Sequence, residues 1–279
     1  MRFLVTTDRS ESSLRTIPHA AALARAASAE IVLLRVFDPR LDAVNEIDPS
    51  LASASQRVAA RWQIDLEQVA REHGVQGPAL VVIKGQREAV RDTIVRVADE
   101  QGVALIAMGT GGASKLRHLF VGSVATGVVA SKTPLAVMLT RADMREPRAG
   151  ATYRLLVTND GSPAAMDVIR ELAPVLAQVG PEVTLLRAHQ AGAAADLLTE
   201  LEAVAREFPE GVHVTPRVES LGGQMKAADV ILRVAEEVGA DAIAMSTHGH
   251  SALRHVFAGS VTMDVLGASP IPVIVGRAG

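Results

Sequence analysis

Apolar residues in this chain fall into short unbroken runs, and between the runs they recur every three or four positions. MRFLVTTD (1–8), EIVLLRVFD (30–38), ALVVIKG (79–85), VALIAMG (103–109) and PLAVML (134–139) are runs too continuous for a half-exposed strand, and they predict strands covered on both faces. Between them, Leu14, Ile17, Ala21 and Ala24 keep helical spacing. So do Val58, Trp62, Leu66 and Val69 within a helix expected over 51–72, and Val90, Ile94 and Val97 within one over 87–101. A last helix is expected from Gly122 to Ser131. The second half gives YRLLVTND (153–160), EVTLLRAH (182–189), HVTPRVE (213–219), ADAIAMS (240–246) and PVIVG (272–276) in the same order. Strands alternating with helices imply parallel βαβ units with right-handed crossovers.

The two halves are copies. LVTTDRSESS (4–13) matches LVTNDGSPAA (156–165), VALIAMGTGG (103–112) matches ADAIAMSTHG (240–249), and LRHLFVGSV (116–124) matches LRHVFAGSV (253–261). Asp8 aligns with Asp160 and Gly122 with Gly259, so the offset shrinks from 152 to 137 and the first copy holds 15 extra residues. The polar segment RADMREPRAGAT (141–152), with Pro147 and Gly150, reads as a linker. Domains are expected at 1–142 and 152–279, each large enough to bury its own core.

Composition narrows the function. A net charge of −3 gives no electrostatic reason to expect nucleic acid or an anionic membrane. The absence of cysteine removes disulfides, thiolate metal sites and cysteine nucleophiles, and fits a reducing, cytoplasmic compartment. The chain enters a strand at once, with no signal-like apolar segment, and no run reaches the length of a membrane span.

Candidate chemistry lies at strand ends, because a doubly wound sheet opens its ligand crevice there. In the first copy these are Asp8, Val36 and Gly109 with the loop behind it; in the second they are Asp160, Ala188 and Ser246 with its loop. The first loop has the spacing G-x2-G-x9-G-S, from Gly109 and Gly112 to Gly122, Ser123 and Val124. Glycines let a backbone approach a ligand, and a helix start offers free N–H groups and a dipole to an anion. The parts together describe a phosphate cradle needing no lysine. Each part alone also has a plain reading: Gly-Ser as a helix cap, the glycines as a tight turn, and Asp8 or Asp160 as an N-cap aspartate.

Taken as an ordered set, these residues resemble the universal stress protein family in its tandem form. The resemblance implies two Rossmann-like α/β domains, each a five-stranded parallel sheet in order 3-2-1-4-5 with helices on both faces. It also implies that the last strands, Leu135–Leu139 and Val273–Gly276, meet in an intramolecular pseudo-dimer; a homodimer of chains stays open. Members with this loop bind ATP, so the resemblance implies ATP with Mg²⁺ on its phosphates. Asp8 would hold ribose and adenine, Val36 would meet adenine through its backbone, and Gly109, Gly112, Gly122, Ser123 and Val124 would surround ribose and phosphates. The second set is Asp160, Ala188, Ser246, Gly249, Gly259, Ser260 and Val261. Ser246 puts a β-carbon where the first copy has glycine, so the second site is expected to be weaker.

Other residues carry less. His248 and His250 have no third ligand in view, and no metal site of protein side chains is expected. Arg117-His118 and Arg254-His255 read as covering the loop's outer face, or as phosphate contacts. Trp62 reads as packing the long helix on the sheet, and 42–48 as a solvated loop or a flap over the first site. There is no P-loop, nucleophile elbow or evident carboxylate pair. The chain therefore reads as a nucleotide-dependent stress-response regulator and not an enzyme, with a slow ATP hydrolase or nucleotidyl-transfer enzyme, or a scaffold binding no nucleotide, as alternatives.

Overall fold

Phe3 and Val5 point to one side of their strand and Leu4 to the other, and all three are buried. A strand apolar on both faces needs a layer on each, and the chain supplies both. The structure, a computed structural model, describes residues 1–39, 51–111, 121–131, 133, 135–149, 152–190, 194–223, 225–246 and 259–276, with backbone alone for 51–54.

The first domain runs β1 (Arg2–Thr6), α1 (Glu11–Ala26), β2 (Glu30–Phe37), α2 (Leu51–Glu72), β3 (Ala79–Ile83), α3 (Val90–Glu100), β4 (Leu105–Gly109), α4 (Ser123–Val129) and β5 (Ala136–Thr140). The second runs β6 (Arg154–Thr158), α5 (Pro163–Val179), β7 (Glu182–His189), α6 (Ala194–Ala205), β8 (His213–Ser220), α7 (Ala227–Glu237), β9 (Ala242–Ser246), α8 (Ser260–Ala268) and β10 (Val273–Gly276). No described helix is long and apolar enough to cross a membrane.

Each domain has the expected order, and the two join into one ten-stranded sheet, β3-β2-β1-β4-β5-β10-β9-β6-β7-β8. Every pairing is parallel except the join, where β5 and β10 run antiparallel with Val273 opposite Leu139, Ile274 opposite Met138 and Val275 opposite Val137. All six residues are buried. The pairing removes two edges that would otherwise be open to other chains. The remaining edges are β3 and β8, and Pro216 sits in β8, where a strand with one neighbour tolerates a missing N–H.

The helices divide by face. Buried residues of α1, α2, α5 and α6 pack with Phe3, Val5, Leu33 and Val157 on one side; those of α3, α4, α7 and α8 pack with Leu4, Val32, Leu34 and Leu156 on the other. Several element ends differ from expectation by a few residues. The helix expected from residue 87 begins at Val90, because Glu88 closes a turn: its N–H donates to the Gly85 carbonyl, and its Oε2 accepts from the Gly85 N–H at 3.2 Å. The segment read as a linker is docked onto the second domain. Arg141 donates to the Leu266 carbonyl (2.7 Å), Arg145 to the Ala240 carbonyl (2.9 Å), and Arg148 makes a two-pronged pair with Asp241.

Candidate functional site

β1 and β4 are neighbours, yet β1 hands the chain to α1 on one face and β4 hands it toward α4 on the other. Strand order reverses here, so a crevice opens beyond the carboxyl ends of β1 and β4. The second domain repeats the arrangement at β6 and β9.

The loop after β1 is built by short-range hydrogen bonds. Thr7 is buried; its N–H bonds the Leu34 carbonyl, and its hydroxyl accepts from the Arg9 N–H (3.0 Å). Asp8 is exposed, and its Oδ1 accepts from the Ser10 N–H (2.9 Å). The N-cap of α1 is Ser10, which accepts from the Ser13 N–H, so Asp8 is not the cap. The reason is spacing: the chain needs two more residues to turn from strand to helix. Arg9 takes the left-handed conformation (φ 65°), unusual for a residue with a side chain, and it is ion-paired to Asp65 of α2.

Val36 is half-buried on β2. Residues of an inner parallel strand bond alternately to left and right. The Phe37 carbonyl accepts from the Lys84 N–H on the β3 side and the Leu34 carbonyl from Thr7 on the β1 side. The polar backbone groups of Val36 therefore face the β1 side, beyond the point where β1 has ended. Sequence reasoning missed the charged groups beside it. Asp38 and Lys84, each ending an apolar run, are buried and paired at 3.2 Å. The Arg35 guanidinium lies 3.5 Å over the Trp62 ring and pairs with Asp65 (3.1 Å), while Trp62 meets Phe37 edge-on with ring centres 5.0 Å apart. Trp62 thus packs the long helix on the sheet as expected. A charged residue closing an apolar run was the available signal for Asp38 and Lys84.

Gly109 ends β4, and its role is set by packing. A β-carbon there would lie 2.8 Å from the Ser12 carbonyl carbon and 2.8 Å from the Ser13 nitrogen, inside the first turn of α1. Ser10 and Ser12 hydroxyls donate to the Gly111 carbonyl, fastening the loop to α1. Gly122 is the N-cap of α4, with φ −56° and no side-chain cap. Its own N–H is not free: it donates to the Thr110 carbonyl at 2.6 Å. The hydrogen bonds among the described residues leave unused the N–H groups of Ser123, which is exposed, and Val124, which is half-buried. Gly112, Arg117, His118 and the 42–48 segment lie outside the described residues, as do Gly249, His248, His250, Arg254 and His255.

The second copy keeps the frame and changes its contents. Asp160 is exposed, and its Oδ1 accepts from both the N–H (3.0 Å) and the hydroxyl (2.5 Å) of Ser162, the N-cap of α5. Gly161 takes the left-handed place of Arg9 (φ 84°), and its N–H donates to Asn159 Oδ1 as Arg9 donates to Thr7. Arg187 is buried and bonds Asn159 Oδ1 (2.5 Å) and Glu200 (2.5 Å). Ala188 is half-buried, with its backbone groups toward the β6 side by the same alternation. Gly259 caps α8 with φ −58° and no side-chain cap; Ser260 is exposed and Val261 half-buried. Ser246, aligned with Gly109, faces a helix start where α5 carries Ala164 in place of Ser12. At Gly109 the β-carbon direction runs into the first turn of α1, so a side chain at that position meets helix packing. Among the described residues, no group of three or more His, Asp or Glu converges as a metal site would require.

The chain is 27% identical over 297 residues to the universal stress protein Slr1230 of Synechocystis, with 98% of this chain and 99% of the relative covered. Its fold is similar to that of a universal stress protein from Archaeoglobus fulgidus (TM-score 0.68, 23% identity, 100% and 96% covered). It is also similar to a putative universal stress protein from Pseudomonas aeruginosa (TM-score 0.56, 16% identity, 99% and 92% covered). The universal stress protein family model matches residues 1–141 and again 152–277, and with both halves matched the chain belongs to the universal stress protein family.

Proposed function

We propose that this protein binds ATP in the first-domain crevice, with Mg²⁺ carried on the phosphates, and more weakly in the second, and that occupancy regulates a stress response through conformation and partner binding. The observation that carries the reading is the pairing of groups across the β1/β4 switch point. The exposed Asp8 carboxylate stands on the β1 side, and uncapped N–H groups at Ser123 and Val124 stand on the β4 side. A carboxylate accepts from ribose hydroxyls; uncapped helix N–H groups donate to phosphate oxygens. The backbone of Val36, turned toward the β1 side beyond the end of β1, offers a donor and an acceptor to a base. Mg²⁺ would neutralise phosphate charge, and the phosphates would hold most of its coordination sphere.

Unequal sites follow from Asp160. One of its oxygens takes two bonds from Ser162, whereas Asp8 takes one bond from Ser10. Any hydrolysis would be slow and incidental to this role. A nucleotide acting through linkage needs only to prefer one conformation.

Thermal unfolding with Mg-ATP tests this. A ligand of the native state at about 100 times its Kd adds about 2.7 kcal/mol. Gly122→Leu should abolish most of that gain without backbone strain, because φ −56° suits any residue. No shift at millimolar Mg-ATP overturns the proposal, and turnover above about 1 s⁻¹ would move it to an enzyme.

A further inference from the structure

The ten-stranded sheet ends in two edge strands, β3 and β8, and an edge strand presents backbone groups to which another chain can add. β8 carries its own deterrents: Pro216 lacks an N–H, and Arg217 and Glu219 put charge in the strand. β3 carries none. Its sequence, Ala79-Leu80-Val81-Val82-Ile83, is apolar, rich in β-branched residues and free of proline, glycine and charge, the composition most prone to strand pairing between chains.

The hydrogen bonds of β3 show which groups face outward. The Pro78 carbonyl accepts from the Leu33 N–H and the Lys84 N–H donates to the Phe37 carbonyl, so the even-numbered residues here bond to β2. The backbone groups of Ala79, Val81 and Ile83 turn the other way. There they meet Gln63 of α2. Its Nε2 donates to the Ala79 carbonyl (2.7 Å), and its Oε1 accepts from the Val81 N–H (3.1 Å). A residue of a further parallel strand would make the same two bonds, donating to one residue and accepting from the next but one. Nε2 also donates to Glu67 Oε1 (2.9 Å), which holds the amide in place from within α2.

The second domain supplies a comparison. Asp65 pairs with Arg35 of β2 and Glu200 with Arg187 of β7, so Leu198, two residues before Glu200, aligns with Gln63. A leucine can make neither bond, and Leu198 is 38% exposed. Pro216, opposite Leu185, aligns with Ala79, opposite Leu33. The amide clasp is thus present on the edge that lacks a proline and absent from the edge that has one.

We propose that Gln63 closes the β3 edge against a second copy of this chain, its side-chain amide standing where the next strand would bond. Without it, two β3 strands can meet antiparallel about Val81, with Ala79, Val81 and Ile83 each exchanging backbone bonds with the other copy. The device is separate from both crevices and does not depend on the nucleotide reading.

The test compares the full chain with Gln63→Leu, which copies the second domain, by hydrogen exchange followed by NMR and by sedimentation velocity. At low micromolar concentration the Val81 amide should exchange about ten-fold faster in the variant, while Val5 in the centre of the sheet stays protected. As concentration rises to hundreds of micromolar, the mass of the variant should climb above that of the unaltered chain. Adding Ile83→Lys, a charge at an exposed position of the same edge, should restore the original mass, which it could not do for a misfolded variant. An unchanged Val81 exchange rate, a mass equal to the unaltered chain at every concentration, or association that survives Ile83→Lys would each overturn the proposal.

Discussion

Gly109 at the end of β4 abuts Ser12 in the first turn of α1, so closely that a β-carbon on the glycine would fall 2.8 Å from the Ser12 backbone. At the aligned positions the second domain carries Ser246 on the strand and Ala164 on the helix. Gly109→Ser should therefore destabilise the first domain by about 1–3 kcal/mol, the usual cost of forcing extra volume into a filled contact. Chemical denaturation measures it. Because the clash is with backbone, adding Ser12→Ala should recover only part of the loss.

The two aspartates offer a direct comparison of the sites. Asp8→Ala should remove most of the Mg-ATP stabilisation, and Asp160→Ala should remove less. Isothermal titration of the two variants checks the order. A larger loss at Asp160 would reverse the ranking.

Arg9 and Gly161 occupy the same left-handed turn. Gly161→Ala should cost about 1 kcal/mol or more, since its φ of 84° is unfavourable with a β-carbon, and Arg187 lies 3.4 Å from where that carbon would sit. Arg9→Gly should change stability by less than about 1 kcal/mol, because relief of the backbone offsets loss of an ion pair that is partly exposed at both ends. Paired denaturation curves separate the cases.

His19 makes stability depend on pH. Its ring titrates near 4 when folded and near 6.5 when free, so the unfolded chain binds the proton first. The contribution is complete above about pH 6.5 and is lost as pH falls from there to about 4, to the extent of about 3 kcal/mol. Unfolding free energy measured between these values should fall less steeply in His19→Gln.

The sheet join is a packing prediction. Ile274 of β10 faces Met138 of β5, and both are buried. Ile274→Ala should cost about 2–5 kcal/mol, measured by denaturation.

The apolar runs were enough to place every described strand, and helical spacing the helices of the first half; the inner strands were plainest because burial on both faces leaves few polar positions. The internal repeat made two domains legible for the same reason: LVTTD and LVTND must each fill the centre of a sheet. The strand order 3-2-1-4-5 and the meeting of the last strands came from family likeness, and the structure bears both out; the register, with Val273 opposite Leu139, came from the structure alone. What only the tertiary structure decided was where neighbours arrive. Capping by Ser10 instead of Asp8, commitment of the Gly122 N–H to Thr110, the Asp38–Lys84 pair, and the docking of Arg141, Arg145 and Arg148 across the join all unite residues far apart in sequence or hinge on local chain direction. Hydrophobic periodicity reports how deeply a residue is buried. It carries no information on which polar partner waits there, and that choice is made when the elements close on one another.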